Sequence, residues 1–233
     1  MSNYKKYHRD KTYEENESHF KNIFKTRFEI AKKYIKNGKV LDIGASTGAM
    51  LDLFREDGFE TWGVEPSESN KIAKKKGHKI INEYFEKTNL PKNYFDLVIM
   101  NHTLEHVKDA EKVVAKIYKI LKPRGILLVD VPNAGGIASK ILQDKWPYKL
   151  PKEHVSQFTK RSLQKLFKKN NFEVIHFESR SGIFEFSDPF KEIWEALTQK
   201  KRRFFTDIIN IPYDIFVTFF DEGDSMTVVG RKN

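Results

Sequence analysis

Three small residues and one acid carry the first chemistry that can be read. Gly44, Ser46 and Gly48 punctuate Val40-Leu41-Asp42-Ile43-Gly44-Ala45-Ser46-Thr47-Gly48, an apolar strand running into a loop, with a helix following at Ala49–Phe54. A glycine has no Cβ and tolerates positive φ, so the backbone of such a loop can come close to a ligand. The first N–H groups of the following helix lack intrahelical partners and can face the same ligand. The arrangement is a nucleotide-type site. A second apolar segment, Glu60–Val64, ends at Glu65, 17 positions beyond Gly48. In a β-α-β unit the end of the second strand lies beside the first loop, which lets Glu65 accept hydrogen bonds from a ribose diol. An NAD site uses the same carboxylate, but the dinucleotide pattern G-x-G-x-x-G is absent, because Gly44 and Gly48 stand four apart with Ser46 between them. No Gly-Lys-Ser/Thr follows, which excludes a P-loop.

Further blocks follow in order: Gly63-Val64-Glu65-Pro66-Ser67, then Tyr94-Phe95-Asp96-Leu97-Val98-Ile99-Met100-Asn101-His102-Thr103-Leu104-Glu105-His106-Val107, then Leu121-Lys122-Pro123-Arg124-Gly125 through Asn133. A later one reads Glu153-His154-Val155-Ser156-Gln157-Phe158-Thr159. Together with the glycine loop they resemble class I S-adenosylmethionine (SAM) dependent methyltransferases, in the branch that includes the ubiquinone-biosynthesis O-methyltransferases. The resemblance covers roughly residues 13 to 180 and the last strand. One departure is Ser46, where the family usually has a glycine; serine is small, so the loop is expected to survive with a less free backbone.

The resemblance implies SAM as cofactor, S-adenosylhomocysteine as product, and a small-molecule acceptor. Gly44, Ser46 and Gly48 then provide backbone approach, and Glu65 takes the ribose hydroxyls. Asp42 either braces the loop or approaches the methionine ammonium through water. Asn82 and Tyr84, in the turn after the third strand, border the adenine, and the backbone of Asn101 faces the cofactor. Asn101 is followed by His102-Thr103-Leu104 rather than the Pro-Pro-aromatic corner common in enzymes that methylate base or amide nitrogens, which favours a hydroxyl acceptor over an exocyclic amine. His154 is the candidate general base, since a hydroxyl nucleophile must lose its proton and an imidazole near neutral pKa suits that step; anchoring of its loop is the alternative. Trp146 and Tyr148 are candidates to line the acceptor pocket. His102-Thr103-Leu104-Glu105-His106 matches the H-x-x-E-H zinc string, but it follows a central strand. No metal is therefore expected, and Glu105 and His106 are expected to hold the loop by hydrogen bonds. RNA methylation and catalytically silent SAM binding are the competing readings.

Alternating elements must position these residues. Helical spacing covers residues 13–36, and strands are expected at 39–43, 60–64, 78–81, 95–100, 125–131 and 172–179, with helices at 47–57, 67–76, 109–121 and 159–170. Such alternation implies an α/β, Rossmann-like class I methyltransferase fold: a mostly parallel seven-stranded sheet, helices on both faces, and an antiparallel last strand at 224–231. A single domain is expected over 1–233, with a helical cap at 1–37, a SAM-binding core at 38–131, and substrate-side insertions at 132–158 and 183–223. The second insertion is rich in aromatic residues, and Pro212 within it is expected to prevent one long helix. Its aromatics serve core packing, a dimer surface or a lipid-like surface. Tyr4, Tyr7 and Tyr13 could close over the cofactor.

The absence of cysteine excludes disulfides and thiolate metal sites and suits a reducing compartment. No secretion signal and no membrane span are read, so a cytoplasmic monomer or homodimer is expected, with peripheral membrane contact left open. The formal charge of +10 is spread over both halves, with its tightest clusters at Lys74-Lys75-Lys76 and Lys200-Lys201-Arg202-Arg203. Mixed with acids in this way, the lysines read as solvated helix faces rather than a nucleic-acid stripe.

Overall fold

Apolar strands buried on both faces organise the chain. The computed structural model describes residues 17–190, Trp194, Thr198 and 204–233. Strands β1 (Lys39–Ile43), β2 (Glu60–Val64), β3 (Lys79–Ile81), β4 (Phe95–Asn101), β5 (Leu121–Pro132), β6 (Phe172–Arg180) and β7 (Ser225–Lys232) form one sheet in the order β3-β2-β1-β4-β5-β7-β6. The first five are parallel, while β7 pairs antiparallel with both β5 and β6. The antiparallel strand therefore lies between two neighbours, and β6 is the edge. The order reverses between β1 and β4, the position at which open α/β sheets place their ligands.

Alternation along the central strands splits the core in two. In β4, Val98 and Met100 pack with Val113, Val114 and Ile117 of α4 (Ala110–Ile120) and with Leu163 and Phe167 of α6 (Lys160–Lys169). Leu97 and Ile99 pack on the other face with Ile30 and Ala31 of α1 (Glu17–Lys32) and Leu51 and Phe54 of α2 (Ala49–Glu56). Asp109 caps α4 through the Lys112 N–H, and Thr159 and Ser162 cap α6 reciprocally. The lysines at 74–76 end α3 (Asn70–Lys75), where a helix C-terminus favours cations, and Lys76 pairs with Glu17 and Asp52.

Pro212 does not break the second insertion. Helix α7 runs unbroken from Phe204 to Phe219 with Pro212 inside it. A proline removes one backbone bond, and here Asp214 and Val217 are buried beyond it, so packing of that face offsets the loss. A short helix α5 (Ile137–Leu142) in the first insertion carries no sequence pattern that announced it. Tyr4, Tyr7, Tyr13 and the Lys200–Arg203 cluster lie outside the described residues. Among the described residues no helix is long and apolar enough to cross a membrane.

One buried ion pair ties α1 to the sheet. Arg27 Nε and Nη2 donate to Asp130 Oδ2 and Oδ1 at 3.1 and 3.3 Å, and Arg27 also binds the Glu185 carboxylate and its carbonyl. Arg27 and Asp130 are both sealed from solvent. Burial alone would raise the Asp130 pKa, but the charges of Arg27 and His102 and the Thr227 hydroxyl hold it below the ordinary carboxylate value. Arg27→Met leaves Asp130 buried with its main counter-charge gone, so a loss of about 3–5 kcal/mol is expected. Urea unfolding measures it: the midpoint should fall at constant m-value, and a loss under about 1 kcal/mol contradicts the account.

Candidate active site

The loop after β1 is bent by three left-handed residues, Gly44 (φ 84°), Ser46 (φ 45°) and Gly48 (φ 79°). A Cβ on Gly44 would stand 2.4 Å from Thr103 Oγ1, so no side chain fits there. Ser46 adopts a conformation that costs a serine about 1–2 kcal/mol. Its N–H donates to Glu65 Oε2 at 2.8 Å, and the Ser67 N–H donates to Glu65 Oε1 at 2.7 Å. One buried carboxylate thereby joins the loops after β1 and β2. The same acid has lone pairs remaining for a diol.

Asp42 is the electrostatic opposite. Its Oδ1 is buried with no hydrogen-bond partner among the described residues. Burial, then repulsion from Glu65, pushes its pKa up to about 7. It lines a pocket of about 360 Å³ together with Phe24, Gly44, Ser46, Met50 and Asn101. Four sequence-selected residues thus converge: Asp42, Gly44, Ser46 and Asn101. Gly48 is not among the residues lining this pocket; a Cβ there would meet His78 Cδ2 at 2.7 Å, so packing against the start of β3 adds to its positive φ in demanding glycine. Asn82 and Tyr84 are exposed in the turn after β3 and lie outside the pocket lining, although the Glu65 N–H bonds to the Ile81 carbonyl beside them. Phe24 and Met50 gave no sequence signal beyond ordinary helix periodicity. Asp130 did give one, as an acid inside the apolar run Ile126–Val131.

Beyond Asn101 lies a second pocket. His102 takes φ 48°, and Leu104–His106 form a single 3-10 turn. An α-helical i, i+4 face for His102 and His106 is therefore not formed. His102 instead sits between two carboxylates, with Nε2 3.3 Å from Asp130 Oδ1 and Nδ1 3.5 Å from Glu105 Oε1. Burial disfavours its charged form, yet these two acids raise its pKa above the ordinary histidine value. Glu105, Trp146, Tyr148 and His154 line a pocket of about 180 Å³ on this side. Its floor is fixed by hydrogen bonds. Trp146 Nε1 donates to Asp224 Oδ1 at 3.1 Å, and His154 Nδ1 meets the Tyr148 carbonyl at 2.7 Å. Burial above all pushes the Tyr148 phenol up to about 12 and the His154 imidazole below its ordinary value. Tyr148 therefore stays protonated near neutral pH and His154 stays neutral.

A sheet ordered 3-2-1-4-5-7-6 with a pocket at its switch point, and a second pocket beside it, defines a class of ligand-binding α/β fold. Residues 15–177 match the family model described as methyltransferase domain, and the chain belongs to that family. Its fold is the class I fold of SAM-dependent methyltransferases. An uncharacterized protein of Methanocaldococcus jannaschii, MJ1123, is 29% identical over 137 residues, which are 58% of this chain and 63% of that one. A ubiquinone biosynthesis O-methyltransferase of Bradyrhizobium is 32% identical over 103 residues, 41% of this chain and 40% of that one. The chain thus spans less than two thirds of the length of these relatives. A SAM-dependent methyltransferase of Thermotoga maritima superposes with a TM-score of 0.63 at 20% identity, covering 97% of this chain and 98% of that one. A methyltransferase of Haloferax volcanii, solved with the Trm112 activator, gives 0.66 at 16% identity, with 96% and 92% covered. At these identities the two structures establish the fold.

The residues present fit the cofactor. Asp42 is a buried carboxylate with an unpartnered oxygen, on the wall of a pocket that must take a cationic ligand. Binding a cation beside Asp42 favours its ionised form. Because that group titrates near pH 7 in the free protein, its ionised fraction rises from about a tenth at pH 6 to about nine tenths at pH 8. SAM affinity, followed by calorimetry, is expected to rise about tenfold over that interval, with proton release, and Asp42→Asn is expected to flatten the profile. Glu65→Ala is expected to lower SAM affinity at least about tenfold, the scale of a charge-assisted hydrogen bond. Unchanged affinity would remove Glu65 from the site.

Proposed function

We propose that this chain transfers the methyl group of SAM to a hydroxyl oxygen of a small-molecule acceptor held among Trp146, Tyr148 and His154. What carries the reading is the placement of the second pocket. It lies against the segment 101–105, whose first residue, Asn101, lines the cofactor pocket and whose last, Glu105, lines the acceptor side. Paired lysines elsewhere, such as Lys71 with Glu68, Lys112 with Asp109 and Lys169 with Glu111, argue against a bare cationic track for RNA.

On the cofactor side, we assign the ribose hydroxyls to Glu65 and the methionine ammonium to Asp42, with Gly44, Ser46 and Asn101 giving backbone contact. SAM supplies an electrophilic methyl group on a positively charged sulfur. The protein must hold the acceptor oxygen in line and manage its proton. Holding two reactants in register contributes several kcal/mol by itself. For the proton, His154 has the right tautomer. A carbonyl only accepts, so Nδ1 carries the hydrogen bonded to Tyr148, and Nε2 offers a lone pair. Trp146 and Tyr148 supply flat apolar walls, with their polar tips occupied or protonated.

Incubation with methyl-labelled SAM and a metabolite extract tests the reading. The label is expected in a low-molecular-weight methyl ether, and label confined to the RNA fraction would contradict it. His154→Gln is expected to lower kcat by about 100-fold or more, with KM for SAM unchanged.

A further inference from the structure

We propose that the outward face of α7 is the contact surface of a two-fold dimer of this chain, each copy laying its α7 against the other's.

The first ground is a helix that is apolar on both sides. Residues 208–220 read Ile-Ile-Asn-Ile-Pro-Tyr-Asp-Ile-Phe-Val-Thr-Phe-Phe. Asp214 and Val217 face inward and are buried. Ile209, Phe216, Phe219 and Phe220 recur at spacings of three, four and seven, which places them together on the other side. They are 74%, 51%, 81% and 56% exposed. The Phe216 and Phe220 rings stand 4.7 Å apart and the Phe219 and Phe220 rings 5.1 Å apart, so the three form one cluster facing solvent. A helix apolar all round is a buried helix. Here one side has its core and the other has none.

The second ground is area. The Ile137 N–H donates to the Glu222 carbonyl, and Lys140 pairs with the Glu222 carboxylate, so α5 lies beside the end of α7. On α5, Ile141 and Leu142 are exposed as well, and so is Ile215 on α7. Large apolar side chains present about 150–250 Å² each when bare. At these exposures the two helices offer on the order of 800 Å², above the largest patch of a typical monomer and equal to one partner's share of a stable interface.

The third ground is charge. A two-fold contact sets a surface against its own copy, so like charges on it would meet. This chain carries a net charge of +10, and only a neutral face lets two copies approach. The stripe is such a face. The one charged residue in 208–220 is Asp214, which is buried, and the acids at its rim, Asp221 and Glu222, are paired with Lys160 and Lys140. A helix that rests on anionic lipid carries lysine or arginine on its polar side; residues 204–223 contain neither. The basic cluster Lys200–Arg203 precedes the helix in sequence and lies outside the described residues, which makes an anionic vesicle the rival occupant to test.

Sedimentation equilibrium of the full chain across the micromolar range tests this. We expect a dimer with a Kd of about 10 µM or below, held no more weakly in about 1 M salt than in about 0.1 M, because apolar contact is not screened. Phe219→Glu and Ile209→Lys should each weaken it at least about thirtyfold, while S-adenosylhomocysteine binding matches the parent. Wild-type protein that stays monomeric at tens of micromolar overturns the proposal, and so do variants that dimerise like the parent. Monomeric wild type that sediments with phosphatidylglycerol vesicles and not with phosphatidylcholine vesicles overturns it in favour of a membrane surface. Should the variants fail to fold, the wild-type melting temperature decides: it should rise with protein concentration, and a constant value counts against the dimer.

Discussion

A single carboxylate holds the cofactor side of this enzyme together. Glu65 accepts one backbone N–H from the loop after β1 and one from the loop after β2, at 2.8 and 2.7 Å. Backbone bonds from Gly44 and Ala45 to the Val64 carbonyl restrain the first loop as well. Ser46 stands in a left-handed conformation that only an external partner can justify, and Glu65 is that partner. The bend at Gly44 is kept from the other side by Thr103, which leaves no room for a Cβ. The geometry of the nucleotide pocket is thus set by three neighbouring strand ends, β1, β2 and β4, each restraining the others.

The elements were largely legible because their signals were local. Strand ends, the glycine bend and the switch point follow from apolar runs, positive-φ residues and an acid at a strand end. What the sequence did not show shares a cause, namely interactions between residues far apart in the chain. Gly48 is legible as a turn glycine, but its packing against His78, thirty positions on, is not. Pro212 reads as a helix breaker, yet buried Asp214 and Val217 carry the helix past it. His106 is expected to hold its loop, but its partner, the Glu153 carbonyl, comes from a segment 47 positions on that no spacing rule could supply.

The segment from Asn101 to Glu105 separates two electrostatic regimes. On one side Asp42 has no counter-ion among the described residues and titrates near neutrality. On the other, Arg27, Asp130, Glu185 and His102 neutralise one another in a buried chain of contacts. The first regime keeps its charge available for a ligand, whereas the second is already satisfied and acts as a rigid wall. That wall includes α1, which also brings Phe24 into the cofactor pocket, so helix docking and pocket completion are one event.

The antiparallel strand has a bearing on biogenesis. β7 is the last of the seven strands in chain order, yet it must slot between β5 and β6, both translated earlier. A nascent chain therefore waits with two open hydrogen-bonding edges until β7 is made. Such late, long-range pairing is slow and leaves strand edges exposed meanwhile. The five-strand parallel half that carries the glycine bend can assemble beforehand. Holding chaperones on the ribosome would thus meet a partly built sheet whose nucleotide-binding half precedes its sealed edge.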